Sequence, residues 1–107
     1  MYSHFRTALS EIVSRLKDKY PDNLAAVYAF GSRVRGDHTS ESDFDILVVV
    51  NDRTIEVEEG IIDVFVEEET KSGIAFDPVI KTAESFAMER RYSTPFYRNI
   101  TRQGIQL

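Results

Sequence analysis

Asp43 and Asp45 stand two residues apart in the run Asp43-Phe44-Asp45-Ile46. On an extended strand, residues i and i+2 point to one face, about 7 Å apart. Two carboxylates held there repel each other unless a positive charge sits between them. A hard divalent cation meets that need, since Mg²⁺ takes one or two carboxylates together with substrate phosphates. An Asp-x-Asp pair can hold two such ions about 3.5–4 Å apart, the separation used for in-line phosphoryl displacement. Upstream lies Gly31-Ser32, with Ser32 11 residues before Asp43. Glycine permits a tight turn and lets a phosphate approach the backbone. The N–H groups of the turn and the Ser32 hydroxyl can then hold phosphate oxygens, and Arg33 or Arg35 can add charge-assisted bonds. Taken singly, a Gly-Ser pair is most often only a turn, Asp-x-Asp a solvated strand start, and paired Arg surface charge. Together they describe a nucleoside-triphosphate site.

Such a site needs strand ends to hold it. Ala25 to Phe30 is a short apolar run that reads as a buried strand ending at Gly31. Arg33 to Gly36 can form one helical turn with Ser32 near its N-cap, and Asp37 to Ser42 reads as a loop. Asp43 to Val50 is a second strand, alternating at first and then wholly apolar, as a central strand would be. Before them, Ser3 to Tyr20 carries Phe5, Leu9, Ile12, Val13 and Leu16 at helical spacing, closed by Pro21-Asp22. After them, Asp52 to Glu69 holds eight acidic residues and one Arg. Ile55, Ile62, Phe65 and Val66 can share a helical face, and Lys71 with Gly73 looks like a helix end. Gly60 and the β-branched stretch Ile61 to Val66 argue for a strand instead. The length from Asn51 to Gly73 suits a crossover between parallel strands, so a helix is preferred. Ile74 to Lys81 is a third strand in which Pro78 suggests an edge or an end. Glu84 to Arg91 is helical, and Thr94-Pro95 opens a last helix that Gly104 ends.

The 107 residues support one domain spanning 1–107, with a modest core. At 42% hydrophobic and 29% charged, the composition is that of a globular domain. Ile46 to Val50 is far too short to cross a membrane, and no apolar signal core suggests export, which points to the cytoplasm. The absence of Cys excludes disulfides, thiolate metal sites and cysteine nucleophiles. A net charge of −5 argues against extended nucleic-acid binding but not against a local phosphate site. That charge is unevenly spread: an acidic middle precedes a C-terminal third with Lys81, Arg90, Arg91, Arg98 and Arg102. Such runs are solvated faces or docking surfaces for an oppositely charged partner.

The run Gly31-Ser32-x-Val34-Arg35-Gly36 followed by Ser42-Asp43-x-Asp45-Ile46 resembles the nucleotidyltransferase signature of the DNA polymerase β-like superfamily, with Val34 where the family usually has Ala. The short chain is similar to a minimal nucleotidyltransferase (MNT) domain. The resemblance implies an α/β (α+β) fold, a small mixed sheet with flanking helices resembling the palm of polymerase β. It implies that Gly31 and Ser32, with Ser42, Arg33 and Arg35 close in the motif, bind the triphosphate, ATP or another NTP. It implies that Asp43 and Asp45 ligate two Mg²⁺ ions, or Mn²⁺ in their place. A third acidic residue, expected on the next strand, would complete the metal site and help deprotonate the attacking hydroxyl. Two candidates exist: Asp63, favoured by its local strand pattern, and Asp77, favoured by its spacing for a crossover and preferred on that ground. Domains of this kind often pair with small helical HEPN proteins in toxin–antitoxin modules. The resemblance thus implies an antitoxin that transfers AMP to a Tyr of its partner. A binding module without catalysis and a small-molecule nucleotidyltransferase are the other readings, and self-association stays open.

Overall fold

Helix α1 (Ser3–Lys19) forms because one stripe of it is apolar: Phe5, Ala8, Leu9, Ile12 and Leu16 are buried while Arg6, Glu11 and Lys17 are exposed. The computed structural model describes residues 3–31 and 44–107. Strand β1 (Leu24–Phe30) follows, then β2 (Phe44–Val50), α2 (Ile55–Ser72), β3 (Phe76–Thr82), α3 (Ala83–Arg91), α4 (Pro95–Gln103) and the short β4 (Ile105–Gln106). The four strands form one sheet in the order β3-β2-β1-β4. Strand β1 runs antiparallel to β2 and β4, whereas β2 and β3 are parallel. The mixed sheet with helices on both sides is the fold class expected from the sequence.

Strand β2 is buried on both faces, which is why its aliphatic run is unbroken. Ile46, Val48 and Val50 join α1 and α2 in one core. Leu47 and Val49 point the other way, against Ile100 of α4 and Phe86 of α3. Phe76 opens β3 by stacking on Phe5 at 5.9 Å and meeting Phe65 edge-on at 6.1 Å. The strand therefore starts two residues later than the expected Ile74, after the left-handed Gly73 has closed α2 and Ser72 Oγ has accepted the Ile74 N–H. Pro78 lies on this outer strand, where a missing N–H costs nothing. Arg53 donates to the free Ile80 carbonyl of the same edge.

The stretch 55–72 is a helix, capped by Thr54, whose side chain accepts the Val57 N–H. A parallel β2–β3 pair needs that crossover. Its core face differs from the expected one. Gly60, Ile61, Val64, Phe65 and Glu68 are buried, whereas Ile55, Ile62 and Val66 point outward. Gly60 is on the inward face, where a Cβ would overlap the Tyr20 hydroxyl just past the end of α1. Lys19 Nζ donates to the Gly60 carbonyl at 3.2 Å and ties the seam. Nothing in the local sequence signals strand β4; two residues form it because Gly104 brings the chain back beside β1. No described helix is long and apolar enough to cross a membrane.

Candidate active site

Three strand ends meet at one border of the sheet. Strand β1 ends at Phe30, which pairs with Asp45 of β2, and Asp45 pairs with Asp77 of β3. Residues paired across a sheet present their side chains to the same face. Asp45 shares its face with Leu47 and Val49, so both carboxylates lie on the side covered by α3 and α4. Neighbouring strands lie roughly 4.8 Å apart. Two acidic side chains on neighbouring strands of one face are placed where a cation between them would offset their charge. Asp45 is half-buried and Asp77 exposed.

Gly31 completes the corner. Its φ of +96° lies in the region that side chains rarely adopt. A Cβ placed there would overlap Asp45 Oδ2 and come within 3.1 Å of its Cγ. Glycine is thus required twice, by the backbone and by the carboxylate packed against it.

The sequence candidates separate accordingly. The structure brings Gly31, Asp45 and Asp77 together. Asp63 lies on the exposed surface of α2, not on a strand, so it does not belong to this border. It acts elsewhere: burial first, and the Asp63 charge second, push the Tyr20 hydroxyl above its ordinary pKa. Ser32, Arg33, Arg35, Ser42 and Asp43 lie outside the described residues, as does the expected turn Arg33 to Gly36. Among the described residues no three acidic or histidine side chains form a metal-binding group. Asp45 and Asp77 supply hard oxygen donors from paired positions, which fits the needs of Mg²⁺.

Behind this corner is a set of residues that sequence reasoning did not connect. Phe30 meets the ring of Phe96 edge-on at 5.5 Å. Lys81 Nζ lies 4.8 Å from the centre of the Phe96 ring and 2.9 Å from Glu89 Oε2. Thr94, which caps α4, donates its hydroxyl to Glu89 Oε1 at 3.0 Å. The Thr94-Pro95 signal did foretell where Phe96 begins a helix, but nothing local foretold that it would back the residue before Gly31. Tyr97 packs on Phe86, and Tyr92 is exposed.

The nucleotidyltransferase domain family matches residues 9–102 of the chain. A relative from Methanocaldococcus jannaschii, named "Putative protein adenylyltransferase MJ0604", is 34% identical over 97 residues, covering 91% of each chain. Among solved structures, one described as a "putative minimal nucleotidyltransferase" superposes with a TM-score of 0.63 at 24% identity, over 96% of this chain and 92% of that one. A complex of a tri-AMPylated Shewanella oneidensis HEPN toxin with an MNT antitoxin gives a TM-score of 0.54 at 19% identity, over 94% of this chain and 69% of the other.

Proposed function

The chain belongs to the nucleotidyltransferase domain family, and on that premise we propose that it transfers AMP from ATP to a hydroxyl of a protein partner. The observation that carries this reading is the placement of Asp45 beside Asp77, with Gly31 closed against the Asp45 carboxylate. The reading is supported by the relative's name, "Putative protein adenylyltransferase MJ0604", and the AMPylated HEPN toxin with an MNT antitoxin supplies the kind of partner.

In this reading Gly31 and Ser32, with Arg33 and Arg35, hold the triphosphate. Asp43, Asp45 and Asp77 would hold Mg²⁺, which when bound offsets the negative charge that builds on the phosphate oxygens. The acceptor hydroxyl, a Tyr of a helical HEPN-type partner, attacks the α-phosphorus. Its proton passes to the Asp77 carboxylate, the more accessible of the two. The bond between the α-phosphorus and its bridging oxygen breaks, and pyrophosphate leaves. The ester on the partner is the product, and the chain acts as an antitoxin by that modification.

Titration of ATP in the presence of Mg²⁺, followed by incubation of α-labelled ATP with the partner, tests the proposal. The wild-type chain binds ATP and labels the partner, whereas Asp45→Asn loses Mg²⁺-dependent binding. Equal ATP binding by both proteins would sink the site assignment. A stable complex that carries no label would instead assign neutralisation to binding alone.

A further inference from the structure

Helix α2 has two apolar faces, and the fold uses one. Ile61, Val64 and Phe65 enter the core. On the opposite side Ile55 is 73% exposed, Val66 57% and Ile62 44%. Their spacings of seven and four residues put them on a single line along the helix, about 16 Å long at the ordinary rise. These residues do not serve the core, and β-branched side chains are weak helix formers. An isolated helix surface would carry Lys, Gln or Ala at those positions.

Acidic residues border the line. Glu59 and Asp63 lie along one side and Glu69 along the other, with Glu56 at the first turn. Two other acids of the helix are engaged, Glu58 with Arg53 and Glu67 with Arg15. Glu56, Glu59 and Glu69 form no ion pair among the described residues. The face is therefore an apolar stripe bordered by Glu59 and Asp63 on one side and Glu69 on the other, and Glu59 and Glu69 have no ion-pair partner among the described residues.

We infer that the outward face of α2 docks an amphipathic helix of another protein, one that carries an apolar stripe flanked by Lys or Arg. Charge complementarity selects this occupant. An anionic lipid surface would be repelled by the same carboxylates. Two α2 faces would set like charge against like. Helix α3 offers Arg90 and Arg91 near exposed Met88 and Tyr92, but these two apolar residues span about one turn and match only part of a three-turn line. Helices α2 and α3 also pack on opposite faces of the sheet, so pairing them between copies would be head to tail, forming a ring or a filament and not a simple two-fold dimer. A separate basic helix of about three turns or more covers the whole line, with ridges settling between Ile55, Ile62 and Val66. Docking here is independent of nucleotide chemistry, because α2 and the Asp45–Asp77 border lie on opposite sides of the sheet.

The probe is a fluorescein-labelled 18-residue helical peptide of Leu, Lys and Arg, compared with a counterpart in which Glu replaces every basic residue. Fluorescence anisotropy is read on the whole chain, on Ile62→Ser/Val66→Ser and on Glu59→Lys/Glu69→Lys. All four positions are exposed, so circular dichroism should match the wild type. The basic peptide is expected to bind at least tenfold more tightly than the acidic one. Each double variant should weaken it at least tenfold, and rising salt should weaken it further. Mg²⁺-dependent ATP titration should stay unchanged in both variants, which separates failure here from failure of the nucleotide site. Equal binding of the two peptides, or variants that bind as the wild type does, would overturn the inference. So would loss in the charge variant alone, which means a diffuse field without a groove. Self-association by light scattering that disappears in Ile62→Ser/Val66→Ser would also overturn it, by assigning the face to a second copy.

Discussion

Gly31→Ala tests the corner of the sheet more sharply than any removal of a carboxylate, because it adds one methyl group and no charge. The backbone at Gly31 has φ +96°, and Gly73, at the end of α2, has φ +76°. Holding a side chain in that region costs about 1–3 kcal/mol. A Cβ at Gly73 would meet nothing within 4 Å, so Gly73→Ala carries the backbone cost alone, about 1 kcal/mol. At Gly31 the methyl group also overlaps Asp45 Oδ2, and the carboxylate must turn off its rotamer. That adds about 0.5–1.5 kcal/mol. With the same backbone cost, Gly31→Ala should therefore lose about 1.5–2.5 kcal/mol in urea unfolding, against about 1 for Gly73→Ala. The functional gap is wider. A displacement near 1 Å in a reacting group can lower a rate by about a hundredfold. AMP transfer should fall by that order in Gly31→Ala and stay near wild type in Gly73→Ala. If Gly31→Ala matches Gly73→Ala in both stability and transfer, the close approach of Asp45 to this glycine is wrong and the site assignment falls with it.

Other outcomes follow from the same geometry. Asp77→Asn should reduce transfer by at least a hundredfold while Asp63→Asn leaves it unchanged, measured with labelled ATP; equal effects would remove Asp77 from the site. Lys81→Met strands the half-buried Glu89 and should cost about 1–3 kcal/mol, with Lys81→Arg restoring most of it, read by urea unfolding. Thr54→Ala removes the cap that accepts the Val57 N–H and should cost about 1 kcal/mol, read the same way. Phe76→Ala empties the space between Phe5 and Phe65 and should cost about 3–5 kcal/mol, lowering the urea midpoint without abolishing ATP binding in the folded fraction.

The sequence by itself determined what depends on neighbours in the chain. The unbroken run Ile46 to Val50 identified a strand buried on both faces. Thr94-Pro95 located the start of α4, and the gap from Asn51 to Gly73 was long enough for a crossover. Gly31 and Asp45 were legible as candidates because their chemistry is written in residue type and spacing. Only the tertiary structure could decide matters that depend on which elements become neighbours. The parallel register of β2 and β3 put Asp77 opposite Asp45, while the helical state of 55–72 took Asp63 away from them. Periodicity grouped Ile55, Ile62, Phe65 and Val66 on one face of α2, and of these only Phe65 turns inward. The packed structure buries Ile61, Val64 and Phe65, brings Gly60 against Tyr20, 40 positions away, and leaves Ile55, Ile62 and Val66 facing outward. The backing of Phe30 by Phe96, Lys81 and Glu89 was equally invisible, because packing energy depends on shape and distance in space, which chain order does not encode.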